Sequence, residues 1–217
     1  MSDDIGPILR EWDNDPNAKK IRKIIGQDGK EKIQIRVDFG ILQMECDGRP
    51  DGKRPYGKES LLEHYLTLLD KYKEEYGTDE GFMLDSHDCE RLRDEALQYY
   101  HRYISLFEVE DYVRAERDTA RNLRAFDLMK KYAERQDDAI SQEKYRPYVI
   151  MMNTRAKAFI CADNGNFIGA IDAIEDAIEK ITNFYRDNEF DEFDISQSQE
   201  LAILRETMKE IRNKWEG

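Results

Sequence analysis

A loop rich in glycine and basic residues is the stretch of the sequence that most suggests chemistry. Asp47–Ser60 reads DGRPDGKRPYGKES and carries Arg49, Lys53, Arg54 and Lys58 among three glycines and two prolines. Such loops can hold a phosphate with their backbone N–H groups, but neither the G-x-x-x-x-G-K-[ST] nor the G-x-G-x-x-G spacing is present. We therefore expect an ordered connector whose basic side chains contact acidic parts of the chain. Anion binding at these four residues is the alternative.

Histidines, cysteines and acids lack the spacings typical of a catalytic or metal site. His87–Glu90 (HDCE) contains potential metal ligands, but consecutive residues on a helix point in different directions, and H-x-x-x-H is absent. We expect His64 on the surface and His101 at the edge of a core. No G-x-S-x-G motif is present, and 47 Asp and Glu residues produce acid pairs by chance. The sequence predicts no catalytic residue, no metal site and no cofactor, so we expect that the protein is not an enzyme.

The twelve tyrosines indicate a possible binding site more clearly than the acids do. Tyr99, Tyr100, Tyr103, Tyr145 and Tyr148 could line a groove between helix pairs. A side chain that presents both a ring and a hydroxyl suits peptide binding. The same residues would also suit the rim of an ordinary helical core, and the sequence leaves both interpretations open.

Length and composition indicate a soluble protein with one main core. A chain of 217 residues can bury a core without metal or disulfide staples, and its formal charge of −13 should repel DNA, RNA and anionic membranes. Cys46, Cys89 and Cys161 lie far apart, so we expect reduced, mostly buried thiols. The acidic N-terminus has no signal-peptide core, and no apolar run approaches the ~20 residues of a membrane span. We expect a cytoplasmic protein that does not enter a membrane.

The charge is distributed unevenly along the chain. Residues 1–16 carry five acids and one Arg, residues 17–58 carry eleven Lys and Arg against six acids, and residues 59–217 carry 22 bases against 36 acids. A small basic segment is thus followed by a strongly acidic body. The segment could dock onto the body, or it could form a module that faces an anion.

The basic segment has the pattern of β-strands. Apolar residues alternate with polar ones or glycine over residues 33–41, which predicts a strand with one buried face. The phase slips by one residue beside Gly40, as a β-bulge or a sharp bend between two strands would produce. Upstream, KKIRKII at residues 19–25 is followed by an Asp28-Gly29 turn, which signals a hairpin. We expect a two- or three-stranded antiparallel sheet over residues 19–46, packed on a helix.

From residue 59 the apolar period changes to 3.6 residues, which predicts helices. The predicted helices cover about 58–76, 86–107, 111–135, 142–163, 167–187 and 195–215. The fold class is therefore mainly α (α+β), with a small N-terminal antiparallel sheet followed by a six-helix antiparallel array. Residues 1–57 would hold the acidic tail, the small basic sheet and the Gly/Pro loop, and residues 58–217 would form an acidic helical bundle as one compact unit.

The last predicted helix has an unusually narrow apolar stripe. Its apolar residues are Leu201, Leu204, Met208, Ile211 and Trp215, spaced alternately three and four apart. Such a seam is typical of the end of a bundle, where only one side is covered. A dimer contact is the competing interpretation, so we expect either a monomer or a dimer through this helix.

Two predicted helix junctions look alike. FEVEDYVRAERD at 107–118 and ADNGNFIGAIDAIEDAI at 162–178 each contain a polar turn and then an aromatic residue, Tyr112 or Phe167. The second junction resembles a tetratricopeptide (TPR) repeat, because Gly165-Asn166-Phe167 is similar to that family's Gly-Asp-Tyr turn. Small residues fall where that family has them, at Ala158, Ala170 and Ala177. The two units are 55 residues apart, against ~34 in the family, so the helices must be longer than standard.

A second resemblance concerns the first junction. Glu110–Asp118 (EDYVRAERD) is similar to the UVR motif of the nucleotide-excision subunits UvrB and UvrC. The chain as a whole, with IQIRVDFGILQMECDGRPDGKRPYG, also looks like bacterial proteins that carry a UVR label. This resemblance implies protein contacts near DNA-repair or stress machinery rather than catalysis.

The TPR resemblance implies a platform for another protein or peptide, and this is the function that the sequence predicts. The expected partner-binding residues are Tyr99, Tyr103, Arg121, Arg124, Tyr148 and Arg155, in which the arginines would anchor an acidic partner segment. The alternative is a nucleic-acid-associated accessory protein that acts through residues 17–58.

Overall fold

The computed structural model describes residues 4–12 and 19–216, so the predicted acidic tail at residues 1–16 lies partly outside the described residues. The strands are β1 (Ile21–Ile25), β2 (Glu31–Val37) and β3 (Gly40–Glu45). The helices are α1 (Gly6–Glu11), α2 (Leu61–Tyr76), α3 (Ser86–Glu108), α4 (Tyr112–Tyr132), α5 (Gln136–Ile140), α6 (Arg146–Asp163), α7 (Phe167–Asp187), α8 (Glu192–Ser196) and α9 (Gln199–Glu216). The predicted fold class is confirmed, because the protein is mainly α with a small antiparallel sheet before six long helices.

The sheet is antiparallel, in the order β1-β2-β3. Val37 pairs with Gly40 across a turn of two residues, Asp38 and Phe39. The phase slip in the sequence therefore marks a hairpin turn and not a bulge. The turn between β1 and β2 contains Gly29 at a φ of +75°, a left-handed conformation that favours glycine.

The two faces of the sheet differ in what covers them. Ile33 and Met44 lie against the helices and belong to the main apolar core. Gln34 and Arg36 on the other face are also buried, because Trp12 lies over that face just after α1. Arg36 Nε donates a hydrogen bond to the backbone oxygen of Trp12 at 3.0 Å.

Helix boundaries follow from local capping. Ser60 Oγ accepts a hydrogen bond from the Glu63 backbone N–H at 3.2 Å and begins α2, and Gly77 at a φ of +72° ends it. The helix predicted over 111–135 is α4, and it ends earlier, at Tyr132, because the chain there forms a short extended bridge with the residues before α3. There the backbone N–H of Leu84 donates to the Tyr132 oxygen at 2.7 Å.

Two apolar cores fill the helical array. The larger is formed by the sheet, the C-terminal part of α3, the N-terminal part of α4, and α6 to α9; the smaller is formed mainly by α2, the N-terminal part of α3 and the C-terminal part of α4. Between them, a layer of buried polar and charged side chains crosses α3 and α4. We call it the polar layer, and it consists of Glu95, Tyr99, Arg102, Asp118, Arg121 and Asn122.

The two similar junctions share one backbone geometry. Their turns place Glu110 at a φ of +60° and Gly165 at a φ of +75°. The next residue, Asp111 or Asn166, caps the following helix with its side chain. Both α4 and α7 have 21 residues, and each is followed by a one-turn helix, α5 or α8. We call α3–α5 the first unit and α6–α8 the second unit, and equivalent residues lie 55 positions apart.

The last helix closes the array. Leu201, Leu204 and Ile211 of α9 are buried against α6 and α7. The Trp215 ring stacks on Phe167 with 6.1 Å between ring centroids. Leu201, Leu204 and Ile211 of the narrow seam are thus covered within the chain, whereas Trp215 is 52% exposed.

Candidate functional site

A groove lies between α3 and the N-terminal end of α6, beside the start of α9. Its volume is about 620 Å³. The side chains that line it include four tyrosines and three other apolar residues, Tyr100, Tyr103, Tyr145, Tyr148, Leu97, Phe126 and Val149. We call it the tyrosine groove. Four of the five tyrosines that the sequence suggested for a groove line it, and Tyr99 does not.

The groove lies over α4, which packs on both α3 and α6 and contributes Phe126 to the lining. Near the C-terminal ends of α3 and α6, the Phe159 ring lies 5.9 Å from Phe107 and 4.8 Å from Tyr112 between centroids. Within the groove, Tyr100 and Tyr148 face each other at 6.2 Å. The backbones of α6 and α9 are in close contact, whereas those of α3 and α6 approach each other at few points.

The floor and the mouth of the groove differ in exposure. Tyr103 is 1% exposed and meets the Tyr100 ring edge to face at 5.5 Å. Burial raises the pKa of the Tyr103 and Tyr148 hydroxyls, so both are neutral hydrogen-bonding groups at physiological pH. Leu97 and Tyr145 at the mouth are 54% and 48% exposed. A guest side chain would therefore pass exposed apolar groups and reach an aromatic floor.

Two of the polar side chains that line the groove are already held by the chain. Arg93 Nη1 pairs with Asp138 Oδ1 at 2.7 Å, and Asn122 Nδ2 donates to the Ala96 backbone oxygen at 2.9 Å. The surface that the groove offers is therefore mainly apolar and aromatic.

Two of the residues predicted to bind a partner lie in the polar layer instead. Arg121 pairs with the Glu95 carboxylate, and its guanidinium lies 4.3 Å from the Tyr99 ring centroid. Glu95 also accepts hydrogen bonds from the backbone N–H groups of Leu61, at 2.8 Å, and Leu62, at 3.2 Å, and so caps α2. Burial lowers the pKa of Arg121, and Glu95 opposes that effect. The Arg121 charge is thus compensated within the chain.

Sequence reasoning missed the most deeply buried charges. Arg102 and Asp118 are both fully buried and form a two-pronged ion pair, with Nε–Oδ2 at 2.6 Å and Nη2–Oδ1 at 2.8 Å. Arg102 Nη1 also donates to the backbone oxygens of Glu45, at 2.9 Å, and Gly48, at 2.8 Å. The pair therefore ties the end of β3 to the helices. The available signal was that both residues fall on the apolar faces of amphipathic helices.

The other two predicted anchors lie outside the tyrosine groove. Arg124 is exposed and pairs with Glu63 at 3.2 Å. Arg155 is partly buried, with Nε 3.2 Å from Thr207 Oγ1 and its guanidinium 4.5 Å from the Phe107 ring centroid. The structure brings only Tyr103 and Tyr148 of the predicted set together in one groove.

Three of the four basic residues of the loop, Arg49, Lys53 and Arg54, line one depression of about 710 Å³. Arg49 turns inward, and its Nε lies 3.3 Å from Glu95 Oε2, whereas Lys53 and Arg54 are exposed. Five basic and five acidic residues line the depression in all. Lys58 is not part of that lining. An anion in the depression would face carboxylates as well as basic groups.

The basic segment contacts the body, mostly with the opposite polarity to the one expected. Arg114 and Arg117 of α4 hold Asp47 of the segment at 2.8 Å and 2.7 Å. Their hydrogen bonds lower the pKa of Asp47 to about 2, with Arg114 the stronger influence. Arg117 Nη2 also donates to the Cys46 backbone oxygen at 2.7 Å. Of the four basic residues singled out in the loop, Arg49 makes the expected contact with an acid of the body.

The described residues give little indication of a metal site, a reactive thiol or a membrane-spanning helix. Within residues 4–12 and 19–216, no group of three or more His, Cys, Asp or Glu side chains could hold a metal ion. Burial raises the pKa of Cys46 and raises that of Cys89 to about 11, which lowers the reactivity of both thiols. None of the described helices combines the length and the apolar character that a bilayer crossing requires.

No protein-family model matches the chain, and no curated protein or solved structure matches it. The resemblances to TPR repeats and to the UVR motif therefore stay predictions. A function must be argued from the geometry of the described residues.

Proposed function

We propose that the protein is a non-enzymatic interaction module that binds a segment of another protein in the tyrosine groove. The observation that supports this most directly is an aromatic groove, open to solvent, between α3 and the N-terminal end of α6. Its volume of about 620 Å³ falls within the roughly 300–1,000 Å³ typical of ligand pockets. Tyrosine-rich pockets are also typical sites for the few side chains that dominate binding energy.

The chemistry of the lining favours binding over catalysis. The lining includes the ionisable side chains of Asp94, Lys144 and Glu200 but, within the described residues, no histidine, cysteine or serine. The tyrosine hydroxyls on the floor are neutral, because burial raises their pKa. The partner segment should therefore present a bulky apolar side chain to the floor and polar groups to the mouth.

Peptide selection from a random displayed library tests the proposal without knowledge of the natural partner. We expect selected peptides to share a bulky aliphatic or aromatic residue and to bind as soluble peptides in a 1:1 ratio. Leu97→Arg places a charge at the mouth and should weaken this binding by about tenfold or more. Val113→Arg is the matched control, because Val113 is 66% exposed on α4 and does not line the groove.

The control variant decides the outcome. Equal weakening by Leu97→Arg and Val113→Arg would show that binding does not use the groove. Failure to select any peptide that binds in solution would also contradict the proposal. Circular dichroism of both variants checks that the helices are intact.

A further inference from the structure

An acidic stretch with two exposed phenylalanines lies away from the lining of the tyrosine groove. Residues 187–194 read DNEFDEFD and join α7 to α8. Five of the eight residues are acids. Phe190 is 49% exposed and Phe193 is 72% exposed. We call these residues the acid-aromatic segment.

The backbone holds this segment in a defined conformation. The Asp191 side chain accepts a hydrogen bond from the Asp194 backbone N–H at 2.8 Å and so begins α8. Ile195, 4% exposed, fixes the other side of that one-turn helix to the main core. Phe193 is therefore held in solvent by ordered backbone, and a partner that covers it has little chain ordering to oppose.

The acids of the segment are largely uncompensated. Glu192 pairs with Arg186 at 2.8 Å. In the described part of the chain, no Lys or Arg lies within ion-pair distance of the other four acids. The equivalent connector of the first unit differs, because Asp138 of α5 pairs with Arg93 at 2.7 Å and accepts a hydrogen bond from Ser86 at 2.7 Å. After α7, Asp191 caps α8 and Glu192 pairs with Arg186, whereas the other three acids form no ion pair in the described part of the chain.

We propose that the acid-aromatic segment is a second docking surface, separate from the tyrosine groove, for a cationic protein segment that carries apolar side chains. The apolar side chains would cover Phe190 and Phe193, and the cations would complement the uncompensated acids. Lys and Arg can also lie over an exposed Phe ring, which adds to both effects. Charge complementarity is the reason to choose this occupant over a neutral or acidic one.

The experiment uses the full chain and an amphipathic peptide of leucine and lysine, labelled for fluorescence anisotropy. Wild type should bind this peptide saturably, and the same peptide with glutamate in place of lysine should not bind. Phe190→Ser with Phe193→Ser should weaken binding by about tenfold. Asp191→Asn with Asp194→Asn, which keeps an Asn cap on α8, should weaken it at low salt and flatten its salt dependence.

Matched controls separate this surface from general attraction to an acidic protein. Phe39→Ser removes an aromatic ring that is 94% exposed at the hairpin turn. Glu134→Gln with Asp137→Asn removes two exposed acids near α5. Neither control should change the affinity by more than about twofold, whereas the Phe and Asp pairs should.

Three results would overturn the proposal. One is no binding of the lysine peptide, and another is equal losses in the test and control variants. The third is a salt-sensitive oligomer of the wild-type chain that the Phe190 and Phe193 replacements dissociate, because a second copy would then occupy the surface. Leu97→Arg, added as a further variant, should leave this binding unchanged, which keeps the result independent of the tyrosine groove.

Discussion

The first and second units have second helices of equal length, 21 residues, and similar turns, but they bury different chemistry. Asp118, Thr119 and Asn122 are buried on α4, at 0%, 0% and 2% exposure. The equivalent residues of α7 are Ala173, Ile174 and Ala177. Ile174 and Ala177 are 0% and 2% exposed. One backbone arrangement therefore accepts either a charged or an apolar interior.

The difference follows from what each unit packs against. The first unit contacts irregular backbone, including the Glu45 and Gly48 carbonyls and the N–H groups at the start of α2. Such groups must find hydrogen-bond partners when they are buried. The second unit packs mainly against helices, whose backbone groups already have partners. The buried charges of the polar layer thus lie where the first unit meets irregular chain.

The strongest test removes one member of the buried pair. Asp118→Ala leaves Arg102 buried without its counter-charge and should reduce the free energy of unfolding by about 3–5 kcal/mol. Lys157 is the residue of the second unit that is equivalent to Arg102, and it is exposed. Lys157→Ala should change the unfolding free energy by no more than about 0.5 kcal/mol. Urea denaturation monitored by circular dichroism measures both.

A loss of less than about 1 kcal/mol for Asp118→Ala would contradict the interpretation of the polar layer. It would mean that water or a shifted acid compensates Arg102, and that the first unit tolerates its charges for a reason other than the pair itself.

A second prediction exchanges residues between the units. Asn122 donates to the Ala96 oxygen and accepts from Arg121 Nη1, both at 2.9 Å. Ala177→Asn would place an amide in an apolar environment and should cost about 1–3 kcal/mol. Asn122→Ala should cost a similar amount, because Arg121 loses an acceptor. If Ala177→Asn is neutral in urea denaturation, the interior of the second unit is more hydrated than the structure indicates.

Sequence patterns predicted the elements better than they predicted the partners of individual side chains. Helical periodicity depends on burial, so it located the long helices and placed Tyr103 and Tyr148 beside a groove. For a charged residue such as Asp118, a position on the apolar face of a helix can indicate burial, but it does not identify the partner. Arg121 could be read as a surface anchor, because Glu95, its partner, lies on another helix. The same limit applies to Arg102, whose four acceptor atoms belong to Asp118 and to the distant residues Glu45 and Gly48.

A third prediction concerns the two junction turns. Glu110 adopts a φ of +60° where the second unit has Gly165, and a left-handed conformation costs a non-glycine residue about 1–2 kcal/mol. Glu110→Gly should relieve this strain, but glycine gains freedom in the unfolded chain, which offsets part of the gain. The net stabilisation of the protein should therefore be up to about 1 kcal/mol. Gly165→Ala should destabilise it by about 1 kcal/mol through the same strain, since the added methyl group meets no atom within 4 Å. Thermal unfolding should move in opposite directions, and shifts of the same sign would show that the two turns are not equivalent.

The smallest expected effect is a pH dependence that arises in the first unit. Arg114 and Arg117 lower the pKa of Asp47 from its ordinary value of 3.8 to about 2. The second unit has Gly169 and Asp172 at the positions of these arginines and offers no such contact.

A depressed carboxyl pKa stabilises the folded state above the unfolded pKa, and that contribution is lost as the pH falls from about 4 to about 2. The side chain of Asp47 is 63% exposed, so solvent screening should keep the contribution below about 1 kcal/mol. The difference in unfolding free energy between wild type and Asp47→Asn should therefore be constant above pH of about 5 and shrink below about 4. A difference that does not change with pH would mean that the arginines hold the loop mainly through the Cys46 carbonyl, and the contrast between the units would then depend on backbone contacts rather than on charge.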